Sequence, residues 1–373
     1  MSELFIGLMS GTSMDAIDAV LVDFQYEEPV LLASHAQKLP KNIRNELLLL
    51  CQSGPNEIER MGHLDMLLGK MFAQSVQFLL NKAGIQSSKV VAIGSHGQTI
   101  RHHPDGETPF SLQIGNPSMI AHHTGITTVA DFRNADVVSG GQGAPLVPTF
   151  HNFVLRSKEI NRVVVNIGGI ANITILPSDQ TASVTGFDTG PGNVLMDYWM
   201  TECFDSAYDR DGYTSKSGTV IQTLLTALLS DPYFKLTPPK STGREHFNAE
   251  WLNNILTTFH DLKIKDETRN ILTTLCEFTA VTISDAIRYY APNTSEVLIC
   301  GGGVHNKTLM TRLGQLLVGL QVKPTTTYGL HADWMEAIAF AWLARQTLNK
   351  RPGNLPSVTG AKNSAILGGI YYS

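Results

Sequence analysis

The densest chemical signal in the chain is Phe187-Asp188-Thr189-Gly190-Pro191-Gly192-Asn193. An acidic residue precedes a Gly-Pro-Gly-Asn turn that opens the helical pattern 194–200. Asp188 is therefore expected at a helix N-terminus, where the positive end of the dipole keeps a carboxylate ionised. An ionised carboxylate in a cleft is a usable general base. An Asp before a helix is equally often a plain cap.

Small-residue turns form the second signal. Ser10-Gly11-Thr12-Ser13-Met14-Asp15 joins two apolar runs. Such a tip exposes backbone N–H groups and hydroxyls, and lets an anion come close. Asp15 or Asp18 is placed to hold Mg²⁺ through water, since Mg²⁺ takes few carboxylates beside phosphates. The same composition also makes ordinary turns. Asn166-Ile-Gly168-Gly169-Ile-Ala-Asn172 and Gly301-Gly302-Gly303-Val-His-Asn306 repeat the pattern. One such turn says little. Three at strand ends of an α/β chain favour a nucleotide cleft. The G-x-x-x-x-G-K-[ST] and G-x-G-x-x-G phosphate signatures are absent from the sequence.

Arg133, in Ala130-Asp131-Phe132-Arg133, ends a strand pattern and suits a bidentate carboxylate contact or a surface salt bridge. Glu336, near the start of a late helix, faces a cleft or only complements the dipole. His96, His102, His103, His122 and His123 match no zinc spacing. Residues 205–212 lack the ligand set of a calcium loop.

These residues need elements to hold them. Apolar runs 4–9 and 16–24 read as a β-hairpin, and 30–36 as a third strand. Helical periodicity covers 42–51 and 56–83, with Gly84 as C-cap. Run 90–93 is a strand entering Gly94-Ser-His-Gly97. A second hairpin spans 163–176. A helix over 268–291 follows, then a strand over 297–300 that runs into glycines. Each half thus has a hairpin, helices and a glycine-ended strand. The fold class is α/β with mixed sheets. The domains are 1–160 and 161–373, and helix 334–348 is a candidate to pack back on the first half.

Composition sets the outer limits. The chain has 373 residues, is 43% hydrophobic and 16% charged, and carries a net charge of −5. That balance argues against disorder and against broad nucleic-acid or acidic-membrane binding. The first basic residue is Lys38 and the longest apolar run is 337–344, so neither a signal peptide nor a membrane span is expected. Cys51, Cys203, Cys276 and Cys300 lie far apart; three of them sit inside apolar patterns, so buried thiols in a reducing cytoplasm are the default expectation.

Seven strings occur together and in order. They are Ile6-Gly-Leu-Met-Ser-Gly-Thr-Ser-Met-Asp15, Ser95-His-Gly-Gln-Thr99, Ala130-Asp-Phe-Arg133, Gly140-Gly-Gln-Gly-Ala-Pro145, Asn166-Ile-Gly-Gly-Ile-Ala-Asn172, Phe187-Asp-Thr-Gly-Pro-Gly-Asn193 and Ala332-Asp-Trp-Met-Glu336. The set resembles the anhydro-N-acetylmuramic acid kinase family. One departure is Ala16, where the family usually has Gly, with slightly altered turn geometry expected.

The resemblance implies a duplicated actin-like, sugar-kinase ATPase fold with two domains around a nucleotide cleft. It implies that ATP with Mg²⁺ phosphorylates O6 while water opens the 1,6-anhydro ring, giving N-acetylmuramic acid 6-phosphate and ADP in cell-wall recycling. Asp188 is then the base that activates the water. Gly11, Thr12, Ser13, Met14, Asp15, Ala16, Ile17 and Asp18 become the first phosphate loop. Asn166, Gly168 and Gly169 become the second, and Gly301, Gly302 and Gly303 the adenosine-side loop. Arg133, His96 and Glu336 are assigned to the sugar. The expected partners are the sugar and ATP, with no nucleic acid or membrane, and a homodimer is left open. The alternatives are an ordinary sugar or carboxylate kinase of the same fold, and a non-catalytic ATP switch.

Overall fold

The computed structural model describes residues 2–11, 14–26, 28–259 and 267–373. The chain forms two compact units, Met1–Val154 with Trp334–Ser373, and Leu155–Asp333. The break expected at 160 thus falls at 154/155. Residues 334–373, assigned above to the second half, return to the first unit.

The first unit opens with β1 (Leu4–Ser10), β2 (Ala16–Asp23), β3 (Val30–Lys38), α1 (Lys41–Leu50) and α2 (Glu57–Ala83). It continues with β4 (Val90–His103), β5 (Phe110–Ile114), α3 (Pro117–Thr124), β6 (Thr128–Ala130), α4 (Asn134–Val138) and α5 (Val147–Leu155). The second unit holds β7 (Arg162–Ile167), β8 (Ile170–Leu176), β9 (Thr185–Pro191), α6 (Val194–Phe204), α7 (Gln222–Leu229), α8 (Ala249–Thr257), α9 (Thr268–Tyr290), β10 (Glu296–Cys300), α10 (Lys307–Leu316) and β11 (Gln321–Pro324). The returning segment adds α11 (Met335–Leu348), α12 (Pro356–Thr359) and β12 (Gly369–Tyr371).

The first sheet has seven strands in the order β12-β6-β4-β1-β2-β3, with β5 on β4. The second has five, in the order β11-β10-β7-β8-β9. In each, an antiparallel meander leads to strands that pair in parallel with its first strand and then with each other. This shared order makes the two sheets a duplicated α/β plan.

Strand alternation divides the first sheet into two faces. Leu4, Ile6 and Leu8 join Ile17, Ala19 and Leu21 in a core with Leu68, Phe72 and Val76 of α2. The other face carries α11 at backbone contact. A Cβ on Gly7 would sit 1.8 Å from the Ala337 carbonyl oxygen, and one on Gly94 would sit 2.0 Å from that of Phe340. These glycines let a helix lie on the strands, which is why 334–348 belongs to this unit. The strand expected to stop at Ile93 runs on through Gly94 and His96 to His103. Glycine inside a strand here marks close backbone approach rather than a turn. Gly84 caps α2 in the left-handed region, as expected.

Candidate active site

In the second unit the chemistry gathers at the carboxyl ends of β7 and β10. Asp188 does not stand at a helix N-terminus. It lies within β9, and α6 begins after Asn193. The leading amides of that helix are already engaged. Gly192 and Val194 N–H donate to Gly169 O at 2.8 and 3.1 Å, and Asn193 N–H donates to Gly168 O at 2.8 Å. The dipole argument for Asp188 therefore fails, and direct donors replace it. Thr242 N–H donates to Asp188 Oδ2 at 3.0 Å. Asp188 N–H donates to Lys240 O at 3.2 Å. The Tyr233 hydroxyl donates to Asp188 O at 2.6 Å.

A register shift in β8–β9 pairs Asn172 with Asp188 and Ala171 with Gly190. The extra residue, Thr189, is a bulge, a device that bends a strand and re-aims its side chains. Phe187 goes into the core at 2% exposure, while Asp188 stays half-buried on the opposite side.

Glycines in this region divide into two kinds. A Cβ on Gly192 would lie 2.3 Å from Gly168 O, and one on Gly301 (φ +80°) would lie 2.4 Å from Asn166 Oδ1. A Cβ on Gly303 would meet Ile167 Cγ2 at 2.3 Å. Packing demands those three. It does not demand Gly168, whose Cβ would meet Ile170 O at 3.6 Å, or Gly302, whose Cβ would come no nearer than 3.9 Å to Asn193 Nδ2. At Gly168 and Gly302 packing leaves room for a side chain, although the Gly168 N–H and carbonyl are both hydrogen-bonded within the turn. Asn166 is buried, with the Cys300 thiol 3.8 Å from its Oδ1.

In the first unit the end of β1 meets β4. Ser10 Oγ donates to Gln98 Oε1 at 2.7 Å. The His96 Nδ1 lies 2.9 Å from Gly97 O, and Arg133 Nε and Nη2 reach His96 Nε2 at 3.1 and 2.9 Å. A carbonyl accepts only and a guanidinium donates only, so the imidazole is neutral with its proton on Nδ1. Burial, with the Arg133 charge beside it, pushes His96 down to about 3. Arg133 Nη1 donates to Gly143 O at 2.9 Å. The Gly143 loop is held in turn by Asp136, a fully buried carboxylate that accepts from Gly143 N, Asn354 Nδ2 and Thr359 Oγ1.

A cavity of about 220 Å³ opens beside this pair. Its lining includes Ser95, His96, Gln113, Asp131, Asn134 and Tyr371. Asp131 adopts φ +61°, a left-handed conformation that turns the chain at the cavity edge.

Thr12 and Ser13 of the expected phosphate turn lie outside the described residues. The Met14 and Ile17 side chains are buried in the core, and the Met14 N–H already donates to Gly11 O at 3.1 Å. Met14 carries the left-handed φ of +52° in this turn. Ala16 opens β2 half-buried and is absent from the positive-φ residues, so Ala in place of the family's Gly is accommodated. Asp15 is exposed and its Oδ1 accepts the Ala16 N–H at 3.1 Å, while Asp18 is half-buried. Among the described residues no group of three or more His, Cys, Asp or Glu could hold a metal ion. Asp15 and Asp18 supply oxygen donors of the kind that Mg²⁺ takes through water. Glu336 sits half-buried in the first turn of α11.

Sequence reasoning missed Tyr233, Lys240 and Thr242. Pro238-Pro239-Lys240-Ser241-Thr242-Gly243 has no helical or alternating pattern, and its pairing with β9 is purely tertiary. The only signal was a cation among prolines and small polar residues.

The family described as anhydro-N-acetylmuramic acid kinase matches residues 3–373. A Coxiella burnetii (strain Dugway 5J108-111) protein of that name is 50% identical over 370 residues, 99% of this chain and 98% of that one. A Shewanella denitrificans protein of the same name is 50% identical over 369 residues, again 99% and 98% of the two chains. Among solved structures, an activator of the 2-hydroxyisocaproyl-CoA dehydratase from Clostridium difficile with bound ADPNP aligns at TM-score 0.48 and 11% identity, covering 94% of this chain and 96% of that one. A ROK family glucokinase from Streptomyces griseus in complex with glucose and AMPPNP aligns at TM-score 0.40 and 12% identity, covering 92% and 99%. The motif strings, the duplicated sheets and a family match running almost from end to end agree, and this chain belongs to the anhydro-N-acetylmuramic acid kinase family.

Proposed function

We propose that this protein is an ATP-dependent kinase that opens the 1,6-anhydro ring of anhydro-N-acetylmuramic acid with water and phosphorylates O6. The products are N-acetylmuramic acid 6-phosphate and ADP, which places the enzyme in peptidoglycan recycling in the cytoplasm. The observation that carries this reading is the 50% identity over 99% of the chain to proteins of that name.

The chemistry balances as one displacement at each end of O6. The water oxygen bonds to C1, the C1–O6 bond breaks, and O6 takes the γ-phosphoryl group as ADP leaves. The water proton passes to Asp188. A carboxylate on the C1 side promotes attack by water, as in inverting glycosidases. The γ-phosphorus captures O6, so no separate acid is needed there. The Asp188 carboxylate is held by Thr242 N–H and stays half-exposed, which suits a base that must meet a water.

Phosphoryl transfer depends on positioning and charge neutralisation. In the second unit Gly168, Gly169, Asn166 and Gly301–303 are assigned to the nucleotide, with Gly168 and Gly302 as the close-approach points. In the first unit the backbone of 11–18 is assigned to phosphate. Asp15 and Asp18 would hold Mg²⁺ through water, and Mg²⁺ when bound supplies charge neutralisation at the transferring group. The cavity beside His96 and Arg133 is assigned to the sugar, with Arg133 and Glu336 as polar contacts. Neutral His96 spends its Nε2 lone pair on Arg133, so its part is to set the guanidinium.

The test is a coupled ADP assay offering anhydro-N-acetylmuramic acid, N-acetylmuramic acid or N-acetylglucosamine. ADP release should depend on the anhydro sugar. Equal turnover of N-acetylglucosamine would favour an ordinary sugar kinase, and sugar-independent release would favour an ATP switch.

A further inference from the structure

The lining of the cavity beside His96 selects its occupant. About 220 Å³ is room for a ligand fragment, since one water takes about 30 Å³. No Lys or Arg is among the lining residues. The one carboxylate there, Asp131, accepts Asn134 Nδ2 on its Oδ1 at 2.7 Å. An anion in this cavity would lose water, meet no cation and face a like charge. A neutral group is the better occupant.

Two side chains narrow the choice. In β5, Leu112 and Ile114 pack on the core, so the alternate residues Ser111 and Gln113 lie on the opposite face. Gln113 Nε2 donates to Thr99 Oγ1 at 3.1 Å and to Ser111 Oγ at 2.8 Å. Ser111 is fixed in turn, with its Oγ 2.9 Å from His102 Nδ1. Both Gln113 amide protons are used, so the group it has left for a ligand is Oε1, an acceptor. Ser95 also lines the cavity and is 1% exposed, yet its Oγ has no hydrogen-bond partner among the described residues. Buried hydroxyls are normally satisfied, and this one has a proton to donate. Pro117 and Ala130 add apolar surface. An acceptor for an N–H, a donor for a carbonyl and apolar surface for a methyl together complement a secondary acetamide.

We infer that this cavity is the pocket for the sugar's acetamido group, with Gln113 and Ser95 as specificity-determining residues: Gln113 Oε1 accepts the acetamido N–H and Ser95 Oγ donates to its carbonyl. The inference deepens the sugar assignment above and rests on the proposed function. It parts the two polar groups of the substrate. The carboxylate goes to Arg133, which is not among the lining residues, and the acetamide goes to the neutral cavity.

The experiment compares kcat/KM for anhydro-N-acetylmuramic acid and for the same sugar with a free 2-amine, in wild type, Gln113→Met and Ser95→Ala. Wild type should prefer the acetylated sugar by about tenfold or more, because a polar group built to pair with a ligand rejects the analogue that leaves it unpaired. Each variant should shrink that preference by about fivefold or more, through loss on the acetylated sugar alone. Ser95→Ala removes a hydroxyl that bonds nothing in the fold, so its melting temperature without sugar should match or exceed that of wild type. A wild type that turns over the amine equally well overturns the inference. So does a folded variant that keeps the wild-type preference, or one that loses activity equally on both sugars. If Gln113→Met does not fold, Ser95→Ala decides alone. A wild type without sugar-dependent ADP release refutes the function itself, whereas a sugar-dependent wild type with an unmoved preference in the variants refutes only the acetamido pocket.

Discussion

The β1–β2 end of the first unit and the β7–β8 end of the second share a strand order but carry different chemistry. The first places a neutral imidazole and a guanidinium against a cavity, with its turn anchored by Ser10 and Gln98. The second places a half-buried carboxylate beside glycines, some forced by packing and some not. Strand order therefore fixes where a site can form, and local contacts decide what it does. The same region separates glycines that packing requires from glycines that it does not.

The largest effect should come from the carboxylate. Asp188→Asn keeps the shape and is expected to lower kcat by about 10²–10⁴-fold, with nucleotide affinity by calorimetry nearly unchanged. Loss of both, in a protein with a collapsed melting transition, would make Asp188 a scaffold residue. The first unit should answer differently. Arg133→Ala is expected to raise the sugar KM by about tenfold or more, from loss of charge-assisted hydrogen bonds, while the ATP KM moves little. An unchanged sugar KM removes Arg133 from the sugar site.

The two kinds of glycine should then part company. Gly301→Ala meets Asn166 Oδ1 at 2.4 Å at a φ of +80°, so it should cost about 1–3 kcal/mol in urea unfolding. Gly302→Ala meets only Asn193 Nδ2, at 3.9 Å, and should leave stability within about 0.5 kcal/mol while raising the ATP KM. If Gly302→Ala leaves ATP binding untouched, that loop does not approach the nucleotide.

The smallest effect is on stability against pH. His96 falls from 6.5 to about 3 on folding, and His102 to about 4. Below pH 6.5 the unfolded chain binds the extra protons, so this stability is complete above about pH 6.5 and is lost as pH falls toward 3. Urea midpoints at pH 7.5, 5.5 and 4.5 should decline in that order. His96→Gln should flatten the decline, and an unchanged slope would mean the ring is solvated.

Much of this was legible in the sequence. The hairpins at 4–24 and 163–176 are periodic, and helices such as Glu57–Ala83 announce themselves by spacing and by Gly84. The motif strings carried the family. Asp188 was misplaced, because Gly-Pro-Gly-Asn reads as a helix opener whereas β9 runs through to Pro191 with a bulge at Thr189. Gly94 looked like a strand end because the backbone of α11 that requires it lies far along the chain. Lys240 and Thr242 were invisible for a similar reason. Their pairing with β9 is a tertiary fact with no local pattern.

The central claim is that water, activated by Asp188, enters the product at C1. It is tested by running the reaction in H₂¹⁸O, quenching early and locating the label by mass spectrometry after borohydride reduction. Unlabelled N-acetylmuramic acid 6-phosphate incubated alongside serves as the exchange control. The account predicts one ¹⁸O at C1 of the product above that control and none on its phosphate. A phosphorylated product with no label at C1 would contradict it and leave plain phosphoryl transfer.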